Sequence, residues 1–250
     1  MAIDPDEIHV SASVDQLAEQ GAEVLRGHAH AAGERRGRFV VALSGGSTPR
    51  HLYGLLTGEP WRSRFDWSTW HVFWGDERVV PLDNPDSNGG EARRLLLDKV
   101  PIPSEQVHYV PVELGQAGVV AGQYGAELRT FFGSGAEPWP RFDLICLGMG
   151  SDGHTASLFP GMPTLDERTQ LVVASPPGVL PPPVDRVSFT LPVLNAARAV
   201  IFLVAGPDKR ATLSRVLAGD RELPAARVRP TDGELRWLVD QEAAPPRAGA

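Results

Sequence analysis

The sequence predicts an α/β protein built on a mostly parallel sheet with helices on both faces. Short apolar runs alternate along the chain with segments of helical periodicity, and the clearest runs end in glycine-rich turns. With 250 residues, 42% of them hydrophobic, the chain is long enough to bury a substantial core.

The first helix spans about Val14 to Ala31, with apolar Val14, Leu17, Ala18, Val24 and Leu25, and Arg38 to Leu43 is the first strand. Ser47-Thr48-Pro49 opens a second helix, with Ser or Thr as its cap and Pro at the first helical position. Trp70 to Trp74, Phe142 to Leu147 and Ala199 to Ala205 read as further buried strands. Helices are expected from Ser87 to Leu97, from Ala117 to Phe132 and from Pro207 to Leu217. Leu171 to Ala174 and Arg186 to Phe189 are shorter strands flanking Pro176 to Pro183, a stretch that cannot be regular helix and reads as a surface loop. No internal repeat or linker stands out, so residues 1–250 are expected to form a single domain, frayed at Ala243 to Ala250.

A net charge of −7 without a sustained basic block argues against general nucleic-acid binding, since phosphate would repel such a chain. One cysteine, Cys146, excludes an internal disulfide and sits in an apolar run. Met1 to Val10 has acidic residues and no basic or apolar leader pattern, and Ala199 to Ala205, the longest apolar stretch, is far short of the roughly 20 residues that span a bilayer. A cytoplasmic protein with no nucleic-acid or membrane partner is the expectation.

In open α/β sheets ligands bind beyond the carboxyl ends of the strands, so the segments after each apolar run matter most. After Leu43 comes Ser44-Gly45-Gly46-Ser47-Thr48, glycines and hydroxyls at the start of a helix, where free N–H groups and the helix dipole make a phosphate cradle or simply a tight turn. It lacks the Lys-Ser/Thr pair of a P-loop. After Trp74 comes Gly75-Asp76-Glu77-Arg78. Here Arg78 is able to clamp a phosphate or carboxylate and Asp76 to position a water or accept from a hydroxyl, the alternative being a local ion pair.

After Leu147 comes Gly148-Met149-Gly150-Ser151-Asp152-Gly153-His154. It matches the Gly-x-Gly-x-x-Gly of dinucleotide folds but fails on context. Pro160, Gly161 and Pro163 interrupt the helix that should follow, and no acidic residue ends the next strand. What remains is a loop presenting Asp152 and His154, a pair suited to acid/base work. Lys209, at a helix start, is either held for a ligand anion or solvated. Neither a Cys/His metal cluster nor a Gly-x-Ser-x-Gly elbow is present.

These three loops, with Asn84 and Ser87-Asn88, the run Thr155-Ala156-Ser157-Leu158-Phe159-Pro160, Gly206 with Lys209, and Gly233 with Trp237, resemble the 6-phosphogluconolactonase family over nearly the whole chain. The resemblance implies a Rossmann-like α/β domain similar to glucosamine-6-phosphate deaminase, and hydrolysis of 6-phosphoglucono-δ-lactone in the oxidative pentose phosphate pathway. It implies no metal and no other cofactor. Related deaminases carry a Glu five residues after the loop His, where this chain has Phe159, and an apolar side chain cannot relay protons.

On this reading His154 is the base that activates water, Asp152 its orienting partner, and Arg78 with Asp76 a further catalytic pair. Ser44, Gly45, Gly46, Ser47, Thr48, Lys209 and Arg78 hold the phosphate. The partner is the small-molecule lactone, and the chain is a monomer or weak homo-oligomer. A same-fold deaminase and a sugar-phosphate sensor without turnover are the rival readings.

Overall fold

The structure is a computed structural model that describes residues 3–4, 7–133, 138–177 and 182–246. The first half of the chain forms β1 (Ile8–Ser11), α1 (Val14–Arg36), β2 (Phe39–Leu43), α2 (Ser47–Leu56), β3 (Trp70–Trp74), β4 (Asp76–Arg78), α3 (Asn88–Leu95) and α4 (Ala117–Phe132). The second half adds β5 (Leu144–Leu147), β6 (Val172–Ser175), β7 (Arg186–Phe189), α5 (Leu191–Ala196), β8 (Ala199–Val204), α6 (Arg210–Leu217), α7 (Pro224–Arg227) and β9 (Glu234–Asp240).

Six strands make one parallel sheet in the order β1-β9-β8-β5-β2-β3. Every residue of β2, β5 and β8 is buried, as expected for central strands covered on both faces. Phe202 and Trp237, paired across β8 and β9, stack with ring centroids 3.8 Å apart. Cys146 lies in β5, where burial pushes its thiol up to about 12 and makes it a small apolar filler.

Helix α1 starts at Ser13, whose side chain accepts from the Gln16 N–H, and stops at Gly37, which takes the left-handed conformation with φ of 67°. Its buried stripe includes Leu17, Ala18, Gly21 and Leu25, and a Cβ on Gly21 would lie 3.4 Å from the Leu52 side chain of α2. Both helices therefore cover the same part of the sheet.

The structure adds to the sequence reading in three places. A second, antiparallel sheet of order β4-β7-β6 stands beside the main one, and β1 and β9 extend the main sheet at one edge. At α2 the cap is Gly46, with φ of 112° and no side-chain hydrogen bond, so neither Ser47 nor Thr48 caps and Pro49 is the third helical residue rather than the first. Among the described residues no side chain caps α2, so its first N–H groups are left without a side-chain acceptor. Finally, the chain does not fray at Ala243, which is buried and donates its N–H to Asp240 Oδ1 at 2.8 Å. Residues 247–250 of that tail, and 178–181 of the Pro-rich loop, lie outside the described residues. Among the described residues no helix is long and apolar enough to cross a membrane.

Candidate active site

Strands β2 and β5 are neighbours, yet the chain leaves β2 for β3 on one side and reaches β8 from β5 on the other. Their carboxyl-end loops diverge and leave a crevice between them. It is lined by Ser44, Gly45, Gly46, Ser47 and Thr48 from the first loop, and by Gly148, Met149, Gly150 and His154 from the second. Asp76, Arg78, Asn88, Arg186 and Lys209 complete the wall. Nearly all the residues singled out in the sequence thus meet in one cleft, with Asp152 directly behind His154.

The first loop is fixed from below by Tyr53, whose hydroxyl donates to Ser44 O at 2.6 Å. A Cβ on Gly45 would come 1.7 Å from Asn88 Oδ1, so only glycine lets these two segments approach. The buried Ser44 hydroxyl has no partner among the described residues and is available to a ligand.

In the second loop Asp152 Oδ1 accepts from the His154 backbone N–H at 3.1 Å and lies 2.6 Å from His154 Nδ1. Gly150 makes room for this pair, since a Cβ there would meet Nδ1 at 2.1 Å. Burial pushes the Asp152 carboxyl up, but the hydrogen bonds and charge of His154 outweigh it, and the net effect holds Asp152 below its ordinary value. An ionised Asp152 keeps the Nδ1 proton and leaves Nε2 with a free lone pair. The Phe159 ring packs against the imidazole with centroids 4.8 Å apart.

Alternation along β4 sorts the Asp76-Glu77-Arg78 triplet. Asp76 and Arg78 face the cleft, and Glu77 turns away beneath it. Asp76 Oδ2 accepts from Ser157 Oγ at 2.7 Å, and Arg78 Nη1 donates to Asn88 Oδ1 at 2.5 Å and to Asp86 O at 2.9 Å. Asn88 in turn donates from Nδ2 to Asp76 O. The alternative reading of a local ion pair between Arg78 and Asp76 or Glu77 is not what forms: an asparagine bridge links Arg78 to Asp76 instead.

Glu77 accepts the N–H groups of Arg78, Asn88 and Gly89 at 2.7 Å each, and the Ser87 hydroxyl at 3.1 Å. Burial raises its carboxyl to about 7, against the lowering effect of those N–H groups and with a smaller push from Asp76. A raised folded value means that stability is fully present below the ordinary value near 4.5 and is lost as pH rises through about 7. Between pH 5 and 8 the wild-type chain is expected to lose up to about 3 kcal/mol of stability relative to Glu77→Gln. Urea unfolding of both proteins at the two pH values checks this, and a constant difference would contradict it.

Arg186 is the cleft residue that the sequence reading passed over. It pairs with Arg78 in the register of β4 and β7, and its guanidinium lies 5.6 Å from the Phe159 ring centroid. Burial, then the charge of Arg78, holds it below its ordinary value, and its buried Nε has no partner among the described residues. The signal was present, since Arg186 is a charged residue opening a strand that is otherwise read as buried. Lys209 reaches the cleft from the turn after β8, while Arg210 turns away and donates to the backbone oxygens of Gln241 and Glu242. Arg78, Arg186 and Lys209 against Asp76 leave two positive charges in excess within the cleft. The Lys209 pairing with Asp208 at 2.9 Å offsets little, because the Asp208 side chain is 62% exposed.

The family model described as glucosamine-6-phosphate isomerases/6-phosphogluconolactonase matches residues 12–237. A 6-phosphogluconolactonase of Nostoc sp. is 44% identical over 213 residues, covering 84% of this chain and 85% of the relative. The solved structure of a 6-phosphogluconolactonase from Trypanosoma cruzi superposes with a TM-score of 0.88 at 31% identity, over 97% of each chain. A monomeric glucosamine-6-phosphate deaminase shares the fold, with a TM-score of 0.78 at 16% identity over 95% of this chain and 98% of that one. The chain belongs to the glucosamine-6-phosphate isomerase/6-phosphogluconolactonase family.

Proposed function

We propose that the chain hydrolyses 6-phospho-D-glucono-1,5-lactone to 6-phospho-D-gluconate, with a water activated by His154. The activity is that of a 6-phosphogluconolactonase, a carboxylic ester hydrolase of the oxidative pentose phosphate pathway. The observation that carries the mechanism is the Asp152–His154 pair at the wall of a cleft with a surplus of positive charge.

A δ-lactone is an activated ester, so one base and a positioned water suffice and no covalent nucleophile is needed. His154 Nε2 takes a proton from water as its oxygen adds to the lactone carbonyl, Asp152 stabilises the imidazolium that forms, and the imidazolium returns the proton to the ring oxygen as the bond from the carbonyl carbon to that oxygen breaks. The charge that develops on the carbonyl oxygen is met by cleft donors, the Arg78 guanidinium and the loop N–H groups. The phosphate lies on Ser44, Gly45, Gly46, Ser47 and Thr48 at the free amino end of α2, where the dipole and unbonded N–H groups favour an anion. Lys209 and Arg186 supply the charge that matches a phosphate dianion, and Asp76, tied to Ser157, orients sugar hydroxyls. Phe159 covers His154 where the deaminases place an acid/base Glu, which supports lactone opening over aminosugar chemistry.

The catalytic unit in this reading is the whole chain as one domain, since the cleft draws on residues from Ser44 to Lys209. A single buried Cys146 suits the reducing cytoplasm. The test is the hydrolysis rate of freshly generated lactone with and without protein, corrected for spontaneous opening. A large excess is expected, and Lys209→Ala is expected to weaken inhibition by 6-phosphogluconate about tenfold. No excess rate, with product still bound, would make the chain a sensor instead.

A further inference from the structure

A second concentration of positive charge lies at the other end of the sheet. Arg38, Asp143 and Arg198 stand immediately before β2, β5 and β8, three adjacent parallel strands, and so form a row along the amino-terminal edge. A cavity of about 250 Å³ opens on this row, lined by Arg36, Arg38, Arg129, Arg141 and Arg198 around Asp143, with Trp139 on its wall.

The carboxylates there are already in use. Asp143 is buried; Oδ2 accepts the Val40 N–H at 2.9 Å, while Oδ1 accepts from Arg36 Nη2 at 2.6 Å and lies 3.3 Å from Arg198 Nε. Arg141 pairs with Asp232 at 2.7 Å, a side chain 88% exposed. Among the described residues Arg38 and Arg129 have no carboxylate partner, and Arg38 lies over the Phe131 ring, 4.9 Å from its centroid. Among the described residues, five guanidinium groups against these two carboxylates leave three positive charges in excess.

Helix ends account for part of this. Arg36 and Arg129 lie in the last turns of α1 and α4, whose carboxyl ends each carry roughly half a negative charge. About two positive charges remain, in a chain whose net charge is −7. Burial, then the charges of Arg36 and Arg141, holds the Arg198 guanidinium below its ordinary value, so these groups are packed against their mutual repulsion.

We propose that this arginine-lined cavity is a second anion site, distinct from the active cleft, that takes a small phosphate-class ligand carrying at least two negative charges. Guanidinium groups bind phosphate oxygens in pairs, and the half-buried Trp139 offers a flat apolar wall beside them.

The probe is inorganic pyrophosphate, titrated calorimetrically into the full chain at low ionic strength. One binding event is expected to survive Lys209→Ala and to weaken at least tenfold in the Arg38→Gln/Arg129→Gln double variant, whose lactone hydrolysis stays at the wild-type rate. Arg141→Gln, which removes a single exposed ion pair, serves as a second variant and is expected to weaken the same event several-fold. Binding that disappears in Lys209→Ala and persists in both arginine variants would place pyrophosphate in the active cleft and overturn the proposal. So would the absence of any binding at millimolar pyrophosphate.

Discussion

His154→Ala is expected to lower kcat by roughly a hundredfold or more, with a much smaller change in KM, because a positioned general base contributes about 10²–10⁴ to the rate. Asp152 Oδ1 engages Nδ1 and the backbone N–H of the same histidine, which orients the ring, and His154 lines the cleft. Asp152→Asn separates orientation from charge. The amide oxygen still accepts both N–H groups and the tautomer is kept, but the anion that stabilises the imidazolium is gone. A hydrogen bond to a charged group is worth about 1.5–3 kcal/mol, so kcat is expected to fall about ten- to a hundredfold, less than for His154→Ala. Steady-state kinetics on the lactone, corrected for spontaneous opening, read both numbers. An unchanged kcat in His154→Ala would take the role of base away from His154.

Much of this site is legible in the sequence because its loops are local. Ser44 to Thr48, Asp76 to Arg78 and Gly148 to His154 each follow a strand that reads as a largely apolar run, and a parallel sheet brings the ends of such runs together. The elements that were not legible depend on pairing rather than on local pattern. Strand β4 is three residues long and entirely polar, so it becomes a strand only by pairing with β7. Strand β1 has two exposed residues of four and forms on the edge of β9. The uncapped start of α2 is not legible because Ser47 and Thr48 are good caps in isolation, whereas here both are helical, the cap is Gly46, and both residues line the cleft. Arg186 was missed for the same reason as β4, since its place opposite Arg78 exists only in the small antiparallel sheet.

That pairing leads to the second large effect. Arg186→Ala is expected to raise KM for the lactone about ten- to a hundredfold and to change kcat less, because a charge-assisted contact to phosphate is lost while the Asp152–His154 pair is left in place. The native guanidinium is placed by three neighbours at once. Nη2 donates to Pro182 O at 3.0 Å, Cζ lies over the Phe159 ring at 5.6 Å from its centroid, and Arg78 repels it from the register partner's side. An anion in the cleft would relieve that repulsion and supply an acceptor for the unpartnered Nε. Arg186→Lys keeps the charge but loses the planar fork, so it is expected to recover only part of the affinity. Two controls separate binding from folding: product inhibition by 6-phosphogluconate should weaken in step with KM, and the circular dichroism spectrum should not change. If both Arg186 variants bind product as tightly as the wild type, the phosphate contacts lie with Lys209 and the α2 amino end alone, and the Arg186 guanidinium serves instead to hold Phe159 against His154.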